Sequence, residues 1–210
     1  MRCLLATDEE RIKDIYKTYI DIICPYSLHY ENISNKFPIE ILNEIRDVLT
    51  HLSKYNLSDD TSIKEINLSK AEGHVKRSRL DCYKYICMAY EDEYSKFDKM
   101  YKNTDLSFVD NGEFLPMLIE ARNNAKHLLF NARKTDLSVD SDNKNNNDEA
   151  YEKYEKAFVA YSLVYNLIND SYKKFENLKR KAVTKNIISI AVGILGLIIG
   201  ILGIIIGILF

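Results

Sequence analysis

Two strings in this chain repeat one pattern of reactive side chains: Arg46-Asp-Val-Leu-Thr-His51 and Arg122-Asn-Asn-Ala-Lys-His127. Each has an arginine, a small polar residue, three further residues and a histidine. A guanidinium matches phosphate bidentately, and an imidazole exchanges protons near neutral pH. On an ideal helix, residues five apart sit about 140° from each other, so neither string closes a site by itself and each needs a partner surface. A third group, Gly73-His74-Val-Lys76-Arg77-Ser-Arg79-Leu-Asp81, is basic and suits a phosphate or an acidic partner, or simply the exposed side of a helix. Phosphate-binding glycine loops, HExxH, GxSxG and paired Cys/His ligands are all missing from the sequence, so nucleotide hydrolysis, zinc chemistry and acyl transfer have no support and no metal or cofactor is expected. The histidines at 29, 51, 74 and 127 are too scattered in sequence to propose a metal site.

The two Arg/His strings resemble the signature of the HEPN superfamily, helical-bundle proteins that include metal-independent ribonucleases of toxin and antiviral systems. The resemblance covers twelve residues of the 210. It implies that Arg46 or Arg122 would hold the scissile phosphate. His51 or His127 would transfer the proton around a ribose 2′-hydroxyl, and Arg and His would come from two subunits or domains facing each other. RNA is a partner only on this reading, and DNA is not expected.

The elements that must carry these residues read as helices. Before residue 193 the only glycines are 73 and 112, prolines stand only at 25, 38 and 116, and Lys, Glu, Leu and Ile abound. Thr7-Asp-Glu-Glu10 is a capping-box pattern opening a helix that Pro25 closes, with a loop over 26–37. Pro38 opens a second helix with Ile41, Leu42, Ile45, Val48, Leu49 and Leu52 on one face, and 56–60 breaks it. A long helix spans about 61–101, with Gly73 a possible bend, and 103–112 is a turn-rich connection. A fourth helix runs to about Lys134 with Met117, Leu118, Ala121, Ala125, Leu128 and Leu129 on one side. Residues 136–148, rich in Asp and Asn, read as a flexible loop. The cysteines Cys3, Cys24, Cys82 and Cys87 show no CxxC pairing and read as buried reduced thiols.

The last helix is the most patterned. Tyr151, Tyr154, Phe158, Tyr161, Tyr165, Ile168, Tyr172 and Phe175 recur at three and four, and the same register continues without a slip to Gly193. From there Gly193, Gly196, Gly200, Gly203 and Gly207 keep the spacing, a stripe of bare backbone suited to close contact with another helix. The charge-free run 187–210 is long enough, at about 36 Å of helix, to cross a bilayer. Lys173, Lys174, Lys179, Arg180, Lys181 and Lys185 precede it, opposed only by Glu176. Positive charge beside a span stays cytoplasmic and suits anionic lipid headgroups. Residues 1–172 carry 23 basic and 30 acidic side chains, which argues against a broad nucleic-acid surface.

The expectation is an all-α protein. Residues 1–172 form a cytosolic bundle of four or five helices, 173–186 a basic juxtamembrane segment, and 187–210 a single transmembrane helix continuous with the last bundle helix. As a function, this describes a tail-anchored interaction or effector module that self-associates through its glycine seam. The alternative is a membrane-tethered HEPN-like ribonuclease.

Overall fold

The computed structural model describes residues 7–137 and 144–209. Among these residues all regular structure is helical, in the order α1 (Asp8–Thr18), a π turn (Tyr19–Ile23), α2 (Cys24–Ser34), α3 (Ile39–Leu57), α4 (Thr61–Tyr101), a 3-10 segment (Leu106–Gly112), α5 (Phe114–Leu137) and α6 (Lys144–Leu209). Six α-helices thus stand among the described residues where the sequence suggests four or five, and most of the difference lies before Pro38.

Thr7 caps α1 as its sequence predicts: the Glu10 amide donates to the Thr7 hydroxyl at 3.3 Å and the Thr7 amide donates to the Glu10 carboxylate at 2.8 Å. Pro25, however, does not close that helix, and 26–37 is not a loop. The chain widens into a π turn, in which the Cys24 amide donates to the Tyr19 carbonyl, five residues back. The wider turn breaks the regular ladder immediately ahead of Pro25, which has no N–H to offer. Helix α2 then starts with that proline in its first turn and runs to Asn35, whose left-handed backbone (φ 52°) ends it.

The chain divides into two compact units, Met1–Tyr94 with Ala121–Tyr165, and Ser95–Glu120 with Asn166–Phe210. In the first, Ile15, Ile23, Ile41, Val48, Leu52, Leu68, Ala71 and Val75 form a buried cluster joining α1 to α4. Arg11 of α1 fastens its edge to α4, with hydrogen bonds to Glu72 at 2.8 Å and Glu65 at 2.7 Å. Further along α4, Tyr83, Ile86, Cys87 and Tyr90 are buried, as are Ala125, Leu129 and Ala132 of α5 and Tyr154, Ala157, Tyr161 and Val164 of α6. In the second unit Phe97, Tyr101, Phe114 and Phe175 meet with ring centroids 4.9–5.3 Å apart for the Phe175 contacts with Phe97, Tyr101 and Phe114.

Two sequence expectations shift in detail. On α5, Leu118, Ala125 and Leu129 are buried but Met117 is 49 % exposed. On α6 the aromatic seam is buried at Tyr151, Tyr154, Tyr161, Ile168 and Phe175, whereas Tyr172 is 46 % exposed. Helix also extends into both ends of the region 136–148: α5 continues to Leu137 and α6 begins at Lys144. Asp136 is held there by Lys84 at 2.9 Å and by the Tyr154 hydroxyl at 3.3 Å. The middle of that loop, 138–143, and Cys3 lie outside the described residues.

Candidate functional site

Helix α3 separates the members of the first string as a five-residue spacing demands. Arg46 is exposed, and among the described residues its side chain pairs with its neighbour Asp47 alone, at 3.5 Å. His51 turns instead toward α4, where its Nδ1 lies 2.9 Å from Asn67 Oδ1. The Asn67 amide nitrogen donates to the Ile63 carbonyl at 2.8 Å, so its oxygen must be the atom facing His51. An oxygen accepts, so Nδ1 carries the proton and Nε2 of neutral His51 keeps its lone pair.

Beside it, the ring of His74 lies nearly parallel to that of His51, with centroids 5.2 Å apart and planes 21° apart. His74 Nδ1 is 2.8 Å from Glu44 Oε2 and 4.0 Å from Asp47 Oδ2. Arg77 Nε donates to the same Glu44 oxygen at 3.1 Å, and Arg77 Nη2 lies 2.8 Å from His74 Nδ1. Arg77 can only donate, so that last contact is a hydrogen bond when Nδ1 is unprotonated, and Glu44 takes Nδ1–H otherwise. Among the described residues no side chain hydrogen-bonds to Nε2 of either histidine. The first Arg/His string and the basic group at 73–81 thus converge through their histidines, while Arg46 stays apart.

The spacing along the two helices carries the signal for this meeting. Glu44 and His51 are seven apart on α3, and Asn67 and His74 are seven apart on α4, so each pair shares a helix face. The connection 58–60 folds α3 back on α4 about Asp59. Glu44 and His74 lie fifteen residues to either side of Asp59, and His51 and Asn67 lie eight to either side. An antiparallel hairpin with that pivot pairs them.

The second string, on α5, is placed differently. Arg122 is half-buried, paired with Glu91 of α4, and its guanidinium carbon sits 3.8 Å from the centroid of the Tyr94 ring. Lys126 lies 3.5 Å from the same carboxylate. His127 is exposed, with the Asn131 side chain 3.3 Å away. Among the described residues no hydrogen bond, ion pair or ring contact links one string to the other, or the arginine to the histidine within a string. Beside Arg122 a cleft of about 290 Å³ is lined by Cys87, Glu91, Lys126, Phe130, Arg133 and Tyr161. Burial pushes the Cys87 thiol up to about 12, so it is no nucleophile at neutral pH. No group of three His, Cys, Asp or Glu residues among the described ones is placed to hold a metal ion.

Helix α6 provides the remaining features. Of the six cations between residues 173 and 185, Lys174 pairs with Asp110 and Lys179 lies 5.7 Å from the Tyr101 ring centroid. Lys173, Arg180, Lys181 and Lys185 are exposed. Beyond them Ile187, Ile190, Val192, Leu195, Leu197 and Ile199 are each more than half exposed. A Cβ added at Gly193, Gly196 or Gly200 would meet nothing within 4 Å. Gly203 and Gly207 fall within α6, but their surroundings lie outside the described residues. The described residues are therefore all-helical in their regular structure, and one helix among them is long and apolar enough to cross a membrane, its most apolar stretch unburied. Comparison with protein-family models, with curated proteins and with solved structures found no match.

Proposed function

We propose that the chain is a single-pass membrane protein anchored by α6, with a helical-bundle head on the cytoplasmic side that acts as an interaction or effector module. In this reading the last bundle helix continues into the span, and copies associate through the glycine seam. The observation that carries it is the apolar run of α6, which among the described residues has no covering although exposed Ile, Leu and Val side chains there would each favour leaving water by about 1.5–3 kcal/mol. Lipid is a cover that fits its length and composition. Glycines that face open space permit backbone-to-backbone approach of a second α6. The cations before the span support a cytoplasmic head and contact with anionic headgroups.

Fractionation tests the anchor. The full chain should stay with membranes through a high-salt and carbonate wash, whereas a chain ending at Lys185 should not. A truncated chain that still pelleted after the wash would reject α6 as the sole anchor.

A second reading is favoured by one observation, the anchored Nδ1 and free Nε2 of His51. On that reading the head is a membrane-tethered, HEPN-like ribonuclease whose substrate is RNA and not DNA. Incubating the protein with RNA in EDTA, and looking for cyclic phosphate ends, tests it.

A further inference from the structure

The ribonuclease reading leaves open where the second proton-transfer group resides, and resemblance alone would draw it from a facing subunit or domain. We propose that His51 and His74 together form one general acid–base pair for RNA cleavage, complete within a single head, with His51 the base and His74 the acid. The proposal rests on the ribonuclease reading and deepens it by naming the partner of His51.

The assignment follows from what holds each ring. Asn67 offers His51 a neutral amide oxygen, which fixes the Nδ1–H tautomer and leaves the Nε2 lone pair ready to accept a proton. Glu44 offers His74 a carboxylate, which forms an ion pair only with the protonated ring. A protonated His74 donates through Nε2 while Nδ1–H is bound to Glu44, and Arg77 Nη2, which can meet Nδ1 only when that atom is unprotonated, is then released. The rings lie nearly parallel at 5.2 Å, so one substrate can engage both. Arg77 is more than half exposed at the edge of the pair and supplies a cation for the non-bridging phosphate oxygens. Glu44 and Asn67 are positioning residues, since each acts through a histidine.

The step balances with no co-reactant. His51 Nε2 takes the proton of the ribose 2′-hydroxyl, and the freed oxygen bonds to phosphorus. The bond from phosphorus to the 5′-oxygen breaks, and that oxygen takes the Nε2 proton of His74. The products are a 2′,3′-cyclic phosphate and a 5′-hydroxyl end. His51 is left protonated and His74 neutral, and exchange with water restores both. Imidazole chemistry of this kind runs in EDTA.

The test uses the full chain in liposomes, a labelled single-stranded RNA, and the DNA of the same sequence. Wild-type protein should cut the RNA in EDTA and leave the DNA intact. His51→Gln and His74→Gln should each lower the rate by about 100-fold or more. The double variant should be little worse than either single one, because the two rings act as a unit. Glutamine keeps a hydrogen-bonding amide at each site, and an unchanged melting curve separates lost chemistry from lost fold. Glu44→Gln should move a limb of the pH–rate profile and not only lower its height, an effect that mere structural support of the helix hairpin would not produce. If the wild type cuts RNA but His74→Gln cuts as fast, the pair is overturned and the ribonuclease reading survives. If the wild type cuts nothing, the ribonuclease reading falls and the pair falls with it.

Discussion

Phe175 concentrates several features of the second unit in one ring: it has no exposed surface and contacts Phe97, Tyr101 and Phe114. Truncating such a ring removes its transfer energy and leaves a cavity, so Phe175→Ala should cost about 3–5 kcal/mol in denaturant unfolding of the detergent-solubilised chain. Tyr172→Ala, three residues earlier in the same sequence seam but 46 % exposed, should cost much less. The buried thiols make a second prediction. Burial pushes Cys82 up from 9.0 to about 12, and Cys87 likewise. A folded value above the unfolded one means that stability is full below about pH 9 and is lost as pH rises toward 12. Melting temperature should therefore fall across that alkaline window. At pH 8 iodoacetamide should leave Cys82 and Cys87 unmodified in the native protein and label both after unfolding, a difference that peptide mass spectrometry reads. Prompt native labelling of Cys82 would contradict its burial.

At the scale of elements, the Thr7 cap serves the first turn of α1, and Thr7→Ala should cost about 1 kcal/mol, measured by thermal or chemical unfolding. The apolar run of α6 makes the sharper prediction. Replacing Gly193, Gly196 and Gly200 with Leu fills the stripe where a second backbone would approach, and should weaken crosslinking between copies in a bilayer. Bulk added off the seam, with Ile198 and Ile201 replaced by Phe, should matter far less. Equal losses from both sets would remove the seam from the account, because nothing else distinguishes the faces of an otherwise uniformly apolar helix.

For the whole molecule, the proposed anchoring by α6 and the cations that precede its apolar run predict an orientation. Protease added outside sealed vesicles with the head facing out should digest the head and spare a fragment beginning near Lys185. Anionic lipid should strengthen head–surface contact, by about 1 kcal/mol for each free cation near the surface, and added salt should weaken it. Lys174 and Lys179 are engaged with Asp110 and Tyr101, so their replacement should change that lipid dependence less than replacement of Lys181 and Lys185.

Composition and local pattern were enough to read the helical class, the Thr7 capping box, the bounds of α4 at Thr61 and Tyr101, and the apolar length of α6. Each of these depends on near neighbours along the chain: breakers, caps and periodicity. The passage through Pro25 was not legible, because a proline usually ends a helix and only the π turn ahead of it made continuation possible. The partners of the reactive side chains also came from tertiary structure. Arg46 and His51 are five residues apart yet share no contact, whereas His51 and His74 stack from different helices. Arg122 belongs to Glu91 and Tyr94. Sequence fixes which face of a helix a residue occupies. Which face of another helix lies opposite depends on the register of packing, and that is set by the summed burial of residues such as Ile41, Val48, Leu68 and Ala71 rather than by the histidines themselves.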